Sequence, residues 1–186
     1  FVGAWPLSGC DQGPLPLTIT YVTDAGDTLM QSEWIEFTTI PRGQRKTVYS
    51  QDGLCRIDFA ENSLFKDLFL RTDSTPAKNN GYDIVGDFYR ILPSDVALNK
   101  GATISLVYPQ NDSLPGKLGV YIKAGDSVRF VGNDRNAADH RLSARVGNFG
   151  AYALVRDVEP PVLYSLSPAN GAHFSAATPQ LRSTVT

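Results

Sequence analysis

Leu54-Cys-Arg-Ile-Asp-Phe59 is the stretch that decides the fold. Successive side chains of an extended chain point to opposite faces, so Cys55, Ile57 and Phe59 share one face and Leu54, Arg56 and Asp58 the other. The first set is apolar throughout, which predicts a strand with its Cys55 face against a core. Gln51-Asp-Gly53 just before it is a turn signal, and Lys46-Thr-Val-Tyr49 before the turn predicts the partner strand of a hairpin. Upstream, Trp34-Ile-Glu-Phe-Thr-Thr-Ile40 reads as one strand closed by Pro41-Arg-Gly43. Leu17-Thr-Ile-Thr-Tyr-Val22 reads as another, followed by the turn Asp24-Ala-Gly-Asp27.

Downstream the rhythm repeats. The segment 60–65 is short enough for one helical turn, strand character resumes over 66–71, and the polar stretch 72–81 reads as a loop. Tyr82-Asp-Ile-Val85, Phe88-Tyr-Arg-Ile-Leu92, Thr103-Ile-Ser-Leu-Val-Tyr108, Leu118-Gly-Val-Tyr-Ile122, Val128-Arg-Phe-Val131, Leu142-Ser-Ala-Arg-Val146 and Ala151-Tyr-Ala-Leu-Val155 follow as short strands between turns. No stretch of a dozen residues holds a helical period. Short strands at this spacing predict an all-β chain, an antiparallel β-sandwich with few or no helices, rather than βαβ units. Sixteen glycines and twelve prolines among 186 residues supply the turns.

Near Asp157 the character changes. Val158-Glu-Pro-Pro161 sets two prolines side by side, each without a backbone donor, which suits a stiff connection better than a sheet interior. The expected division is a sandwich over 1–157 and, over 158–186, a linker with the first strands of a following module, beginning at Val162-Leu-Tyr-Ser-Leu166. Residues 1–58 are expected to join the same sandwich, because strands with one apolar face need a partner layer.

The formal charge is −2 and no run of Lys or Arg forms a basic patch, so nucleic acid is not an expected partner. No apolar stretch approaches the ~20 residues that span a bilayer as a helix. Cys10 and Cys55 are the two cysteines, and in an exported chain they form a candidate disulfide. Leu7-Ser-Gly-Cys10 also spells a lipoprotein cleavage box, but Pro6 and the lack of a positive charge before it argue against lipidation.

Several segments carry a resemblance: Phe59-Ala-Glu-Asn-Ser-Leu-Phe-Lys-Asp67, the strand end Tyr89 to Pro93, Leu118-Gly-Val-Tyr-Ile122, Val128-Arg-Phe-Val-Gly132, and Leu142 to Val146 leading into Phe149-Gly-Ala-Tyr-Ala-Leu-Val-Arg-Asp157. From about Phe59 to Pro161 the chain resembles a β-sandwich module of exported bacterial proteins. That module accompanies lysostaphin-type zinc metallopeptidases and precedes immunoglobulin-like repeats. Pro160-Pro161 and Ser167-Pro-Ala-Asn-Gly171 look like the start of such a repeat. The same stretch is distantly similar to ZU and GAIN domains, some of which cut their own backbone at a His-Phe-Ser type of tripeptide. Here the matching residues are Asn148-Phe149-Gly150, without the hydroxyl that would attack, so the resemblance implies that self-cleavage is lost.

His140 and His173 belong to no His-x-His or His-x-x-x-Asp pattern and, with two scattered cysteines, make a poor zinc set. There is no Gly-x-Ser-x-Gly elbow and no phosphate-cradling glycine loop. Asp24 with Asp27, Asp83 with Asp87, and Asp134 with Asp139 lie in turn-like segments, where aspartates cap backbone amides. Calcium is the one cofactor that the oxygen-rich loop Asn133-Asp134-Arg135-Asn136 allows, with Arg135 opposing it. Among the aromatics, Trp34 and Tyr121 are expected in the core, while Tyr89 and Tyr108 remain available. Trp5 lies outside any strong strand and is the candidate sugar platform.

The reading that results is a non-catalytic structural or spacer module of a larger exported protein, periplasmic, cell-surface or secreted. Its expected partners are neighbouring domains of the same polypeptide. The alternative is a glycan- or peptidoglycan-binding module using Trp5, Asn133, Asp134 and Asn136, and a second alternative is an enzyme whose site carries no recognised motif.

Overall fold

Short strands between turns make up the computed structural model, which describes residues 14–77, 81–158, 163–167 and 182–185. The strands are β1 (Leu15–Val22), β2 (Thr28–Ile35), β3 (Thr38–Ile40), β4 (Lys46–Tyr49), β5 (Cys55–Phe59), β6 (Leu68–Pro76), β7 (Asp83–Leu92) and β8 (Ala102–Val107). They continue as β9 (Leu118–Ala124), β10 (Ser127–Gly132), β11 (Asp134–Asn136), β12 (Arg141–Val146), β13 (Ala151–Arg156), β14 (Leu163–Ser167) and β15 (Arg182–Val185). A single 3₁₀ turn, Pro115–Lys117, is the only helical piece among the described residues. The chain is an all-β protein built from antiparallel sheets packed together as a sandwich.

Contacts divide the chain into two compact units, 1–156 and 157–186. In the first, one sheet has the order β10-β9-β13-β7-β6-β3 and the other β11-β12-β8-β5-β4. Their inner faces meet in a single apolar core. Ile40, Leu70, Ile91, Val120 and Leu154 come from the first sheet, and Cys55, Ile57, Ile104, Leu106 and Leu142 from the second, all withdrawn from water. Each of the aliphatic side chains among them contributes about 1.5–3 kcal/mol by burial. In β5 the inner face is the expected Cys55, Ile57 and Phe59, with Arg56 and Asp58 outside and paired at 2.8 Å. In the second unit β14 and β15 pair antiparallel.

Four local expectations are corrected. Trp34 to Ile40 is not one strand: β2 pairs with β1, β3 pairs with β6, and the break falls at Glu36-Phe37. There Phe37 turns inward and meets Phe69 edge-on, with ring centroids 5.7 Å apart. As a result β1 and β2 form their own two-stranded sheet rather than sandwich strands. Segment 60–65 is not helical: Asn62 takes a left-handed φ of 61°, and Leu64 bridges antiparallel to Leu98. The segment 72–76, read as loop, extends β6, because its backbone ladders onto β7 from Thr72↔Ile91 to Pro76↔Asp87. Finally 82–85 and 88–92 are one strand, β7. A register shift opposite Tyr152 and Leu154 makes a bulge at Gly86, whose φ of +83° suits glycine.

The outward face of the second sheet is tied by polar contacts that the alternation alone does not reveal. Ser105 and Ser143, directly opposite in the β8–β12 ladder, share a hydrogen bond at 2.8 Å. The Arg141 guanidinium lies across the sheet and donates to the carbonyl of Gly53 at 3.1 Å. At the end of β13, Arg156 forks between Asp83 and Asp112, each at 2.6 Å, and these two bonds push its pKa upward.

Candidate functional site

The sandwich is open along one side, where edge strand β4 of one sheet faces the β3–β6 edge of the other. β3 covers β6 only over Leu68–Leu70, so from Arg71 onward that flank of β6 is unpaired. Trp34, near the end of β2, and Glu36 and Phe37 of the connection into β3 border this opening. A groove of about 340 Å³ results, lined among others by Trp34, Tyr49, Gln51, Arg71, Thr72 and Asp73. An adjoining hollow of about 400 Å³ shares Gln51, Thr72 and Asp73 and adds Ser50, Asp52 and Ser74. The two together make one trough.

Its polar groups are held rigidly. Asp73 stands opposite Arg90 in the β6–β7 ladder and two residues from Arg71 on the same face. It accepts from Arg71 Nε at 2.7 Å and from Arg90 Nη2 at 3.0 Å. Burial opposes its ionisation, but the two guanidiniums outweigh that and hold its pKa below the usual carboxylate value. Asp52, in the β4–β5 turn, accepts from Ser50 Oγ at 2.5 Å and the Leu54 amide at 3.0 Å with one oxygen. The other oxygen accepts from the Tyr89 hydroxyl, on the opposite sheet, at 2.8 Å. Burial again works against the charge, and the three donors more than offset it, so the Asp52 pKa is lowered. Burial and the bond to Asp52 push the Tyr89 hydroxyl up. Against this floor two aromatic rings stay open to water, with Trp34 72% and Tyr49 54% exposed.

The Tyr89–Asp52 bond makes a testable link between the sheets. A carboxyl whose folded pKa is depressed contributes stability above its unfolded value, ordinarily 3.8, and that contribution disappears as pH falls through the folded value. Tyr89→Phe is therefore expected to cost about 1 kcal/mol at neutral pH, solvent screening at the open Asp52 keeping the figure small. The deficit should shrink well below pH 3.8, where Asp52 is protonated in both proteins. Urea unfolding at neutral and strongly acid pH checks this, and a deficit independent of pH would assign the loss to packing instead.

The residues singled out from sequence lie elsewhere. Asn133 and Asp134–Asn136 are exposed, the latter forming the short edge strand β11. Asn136 is occupied locally: its Oδ1 accepts from the amides of Ala138 and Asp139, and its Nδ2 donates to Asp139 at 2.7 Å. Among the described residues no three His, Cys, Asp or Glu side chains gather as a metal ion would require. Trp5, Cys10 and His173 lie outside the described residues. Cys55 is a free, buried thiol, and no disulfide is seen among the described residues. Burial, with the Asp52 charge second, pushes that thiol up to about 12, so it stays protonated and inert. Its place at the start of the inner face of β5 suits packing, and the expected Cys10–Cys55 disulfide is not seen among the described residues.

Trp34, expected in the core, is instead the most exposed large apolar side chain among the described residues. Tyr121 is half-buried and meets Phe130 edge-on at 5.4 Å, while Tyr89 and Tyr108 are buried. The sequence pattern does not reveal the trough. Its two aromatics and its Arg71–Asp73 pair are far apart in sequence, and the polar composition of 72–76 hides the strand that brings Asp73 into register with Arg90. The one available signal was the i, i+2 spacing of Arg71 and Asp73, which puts both on one face of a strand. Among the described residues no helix is long and apolar enough to cross a membrane. A comparison with protein-family models finds no match, and no curated protein is significantly similar to the chain.

Proposed function

We propose that the chain is a non-catalytic spacer module of a larger exported protein, holding a neighbouring domain, a cell-wall peptidase being the candidate, at a set reach. The observation that carries this reading is modular. A sandwich with its own closed core ends at Arg156, and a separate strand pair begins at Leu163, so two compact units follow one another along the chain. Between them the sequence places Pro160-Pro161, whose fixed φ and extended preference stiffen a connection. The resemblance of the segment from Phe59 to Pro161 to modules that accompany lysostaphin-type peptidases points to the same role and to an extracytoplasmic location.

A spacer needs a domain that folds by itself and a joint that resists bending. Ending the chain after Val158 is accordingly expected to leave the sandwich folded, with a melting temperature within about 2 °C of the full chain, well under the shift that a loss of 1 kcal/mol produces. Replacing Pro160 and Pro161 by glycines should broaden the distribution of particle dimensions in X-ray scattering while the melting temperature stays put. Equal breadth in both proteins would remove the rigid joint and with it the spacer. Turnover of cell-wall material by the isolated chain, abolished by one substitution, would overturn the non-catalytic part.

A further inference from the structure

The trough beside Trp34 is not needed by a spacer, and its chemistry selects a ligand. We propose that it binds a neutral oligosaccharide, with one pyranose face on Trp34 and hydroxyls hydrogen-bonded to the Gln51–Asp73 floor. Five features converge on this class.

Two rings, Trp34 and Tyr49, remain largely exposed at one groove although the sandwich offers both sheets' interiors for apolar side chains. A flat ring that is wet on one face suits a ligand that is apolar on its faces and polar at its rim. Between and beyond the rings lie an amide, a hydroxyl and a carboxylate, from Gln51, Thr72 and Asp73, which match hydroxyl groups as donors and acceptors. A purely apolar ligand would leave the Gln51 amide and the Thr72 hydroxyl without partners, at a desolvation cost.

Charge narrows the class further. Asp73 is neutralised by Arg71 and Arg90 and so is a fixed acceptor rather than a free charge. Asp52, held by three donors, and Glu36 at the other end leave the trough slightly negative. A polyanionic chain is disfavoured there, and a neutral sugar meets no such opposition. The groove lies at the lower end of the 300–1,000 Å³ that small-ligand sites occupy, and the adjoining hollow extends it along the sheet edge, as a short chain of sugar rings requires. Because Asp52 and Asp73 are already locked by their partners, little order remains to be imposed on binding.

This site is distinct from the Trp5 and Asn133 positions, and its failure would leave the spacer reading intact, since that reading rests on the joint at Pro160-Pro161. The experiment is calorimetric titration of the intact chain with a panel of neutral tetrasaccharides: β-1,4- and α-1,4-glucan, mannan, galactan and N-acetylglucosamine polymers. At least one member is expected to bind saturably, with affinity changed less than about twofold between low and high salt, as an uncharged ligand requires. Trp34→Ala and, independently, Gln51→Ala should each weaken that binding by at least about tenfold, a factor equal to ~1.4 kcal/mol. Gln51 is exposed, so its substitution reports on binding without disturbing the hairpin that carries Trp34. Trp5→Ala should bind as the unaltered chain does. No saturable heat with any member up to about 10 mM, a dissociation constant weaker than ~3 kcal/mol of binding, overturns the proposal. So does binding that survives both trough substitutions or collapses with salt.

Discussion

Replacing Phe149 by alanine is expected to lower the unfolding free energy by about 3–5 kcal/mol, the range for emptying a buried aromatic site. Phe149 is 2% exposed and meets Phe59 edge-on with ring centroids 6.0 Å apart, so it joins the approach to β13 with the end of β5 on the other sheet. Its neighbours cannot readily close the hole. The Gly150 carbonyl accepts from the Ile91 amide at 2.8 Å, and the Asn148 carbonyl accepts from the Tyr152 hydroxyl at 2.6 Å, so the backbone on both sides is tied. Urea unfolding should show a lower midpoint with an unchanged slope, as a two-state loss of stability requires. Phe65→Ala is the control, since that ring is 59% exposed and its removal should cost less than about 1 kcal/mol. A Phe149→Ala loss as small as the control's would mean that 148–150 does not pack against β5.

Arg156→Met is expected to cost about 3 kcal/mol or more. Most of that is the penalty for stranding Asp112, whose side chain is only 2% exposed and whose other oxygen keeps a bond from the Leu114 amide. Asp83, the second partner, is 49% exposed and can be rehydrated, so Asp83→Ala should cost about 1 kcal/mol or less. The contrast between two carboxylates on one guanidinium is the test. Adding Asp112→Asn to Arg156→Met should recover a large part of the loss, because the buried charge is gone while the hydrogen bond from Leu114 can remain. If the double variant is as unstable as the single, the loss comes from the packing of the Arg156 stem and not from charge. Thermal and urea unfolding of the four proteins decides it.

Neither residue carries a local sign of its importance, for different reasons. In the sequence Phe149 stands in Asn148-Phe149-Gly150 and heads a segment that carries the resemblance, and neither marks it as packed. In this protein it is a core ring. Arg156 ended an apolar strand and carried no motif, and its importance comes from Asp83 and Asp112, which lie 73 and 44 residues away. A pair that distant leaves no local pattern.

The trough shows the same limit at the level of function. Alternation placed Trp34 in the core because Trp34 to Ile40 looks continuous, yet the chain changes sheets at Phe37 and leaves Trp34 on a two-stranded hairpin with water on its ring. Cys55 shows the converse. Its inward position was legible from the alternation of β5, and that burial keeps it a free, protonated thiol instead of half of a bridge.

What the sequence by itself determined was the all-β class, the turns between strands and the inward face of β5, because a period of two and its punctuation are local properties of the chain. The tertiary structure alone decided which strands share a sheet, where β6 outruns β3, and therefore that Trp34, Tyr49, Gln51 and Asp73 line one trough. Those outcomes depend on backbone ladders and ion pairs between residues dozens of positions apart. Strand pairing is satisfied by almost any side chain, so the pairing leaves almost no mark on the residues that make it.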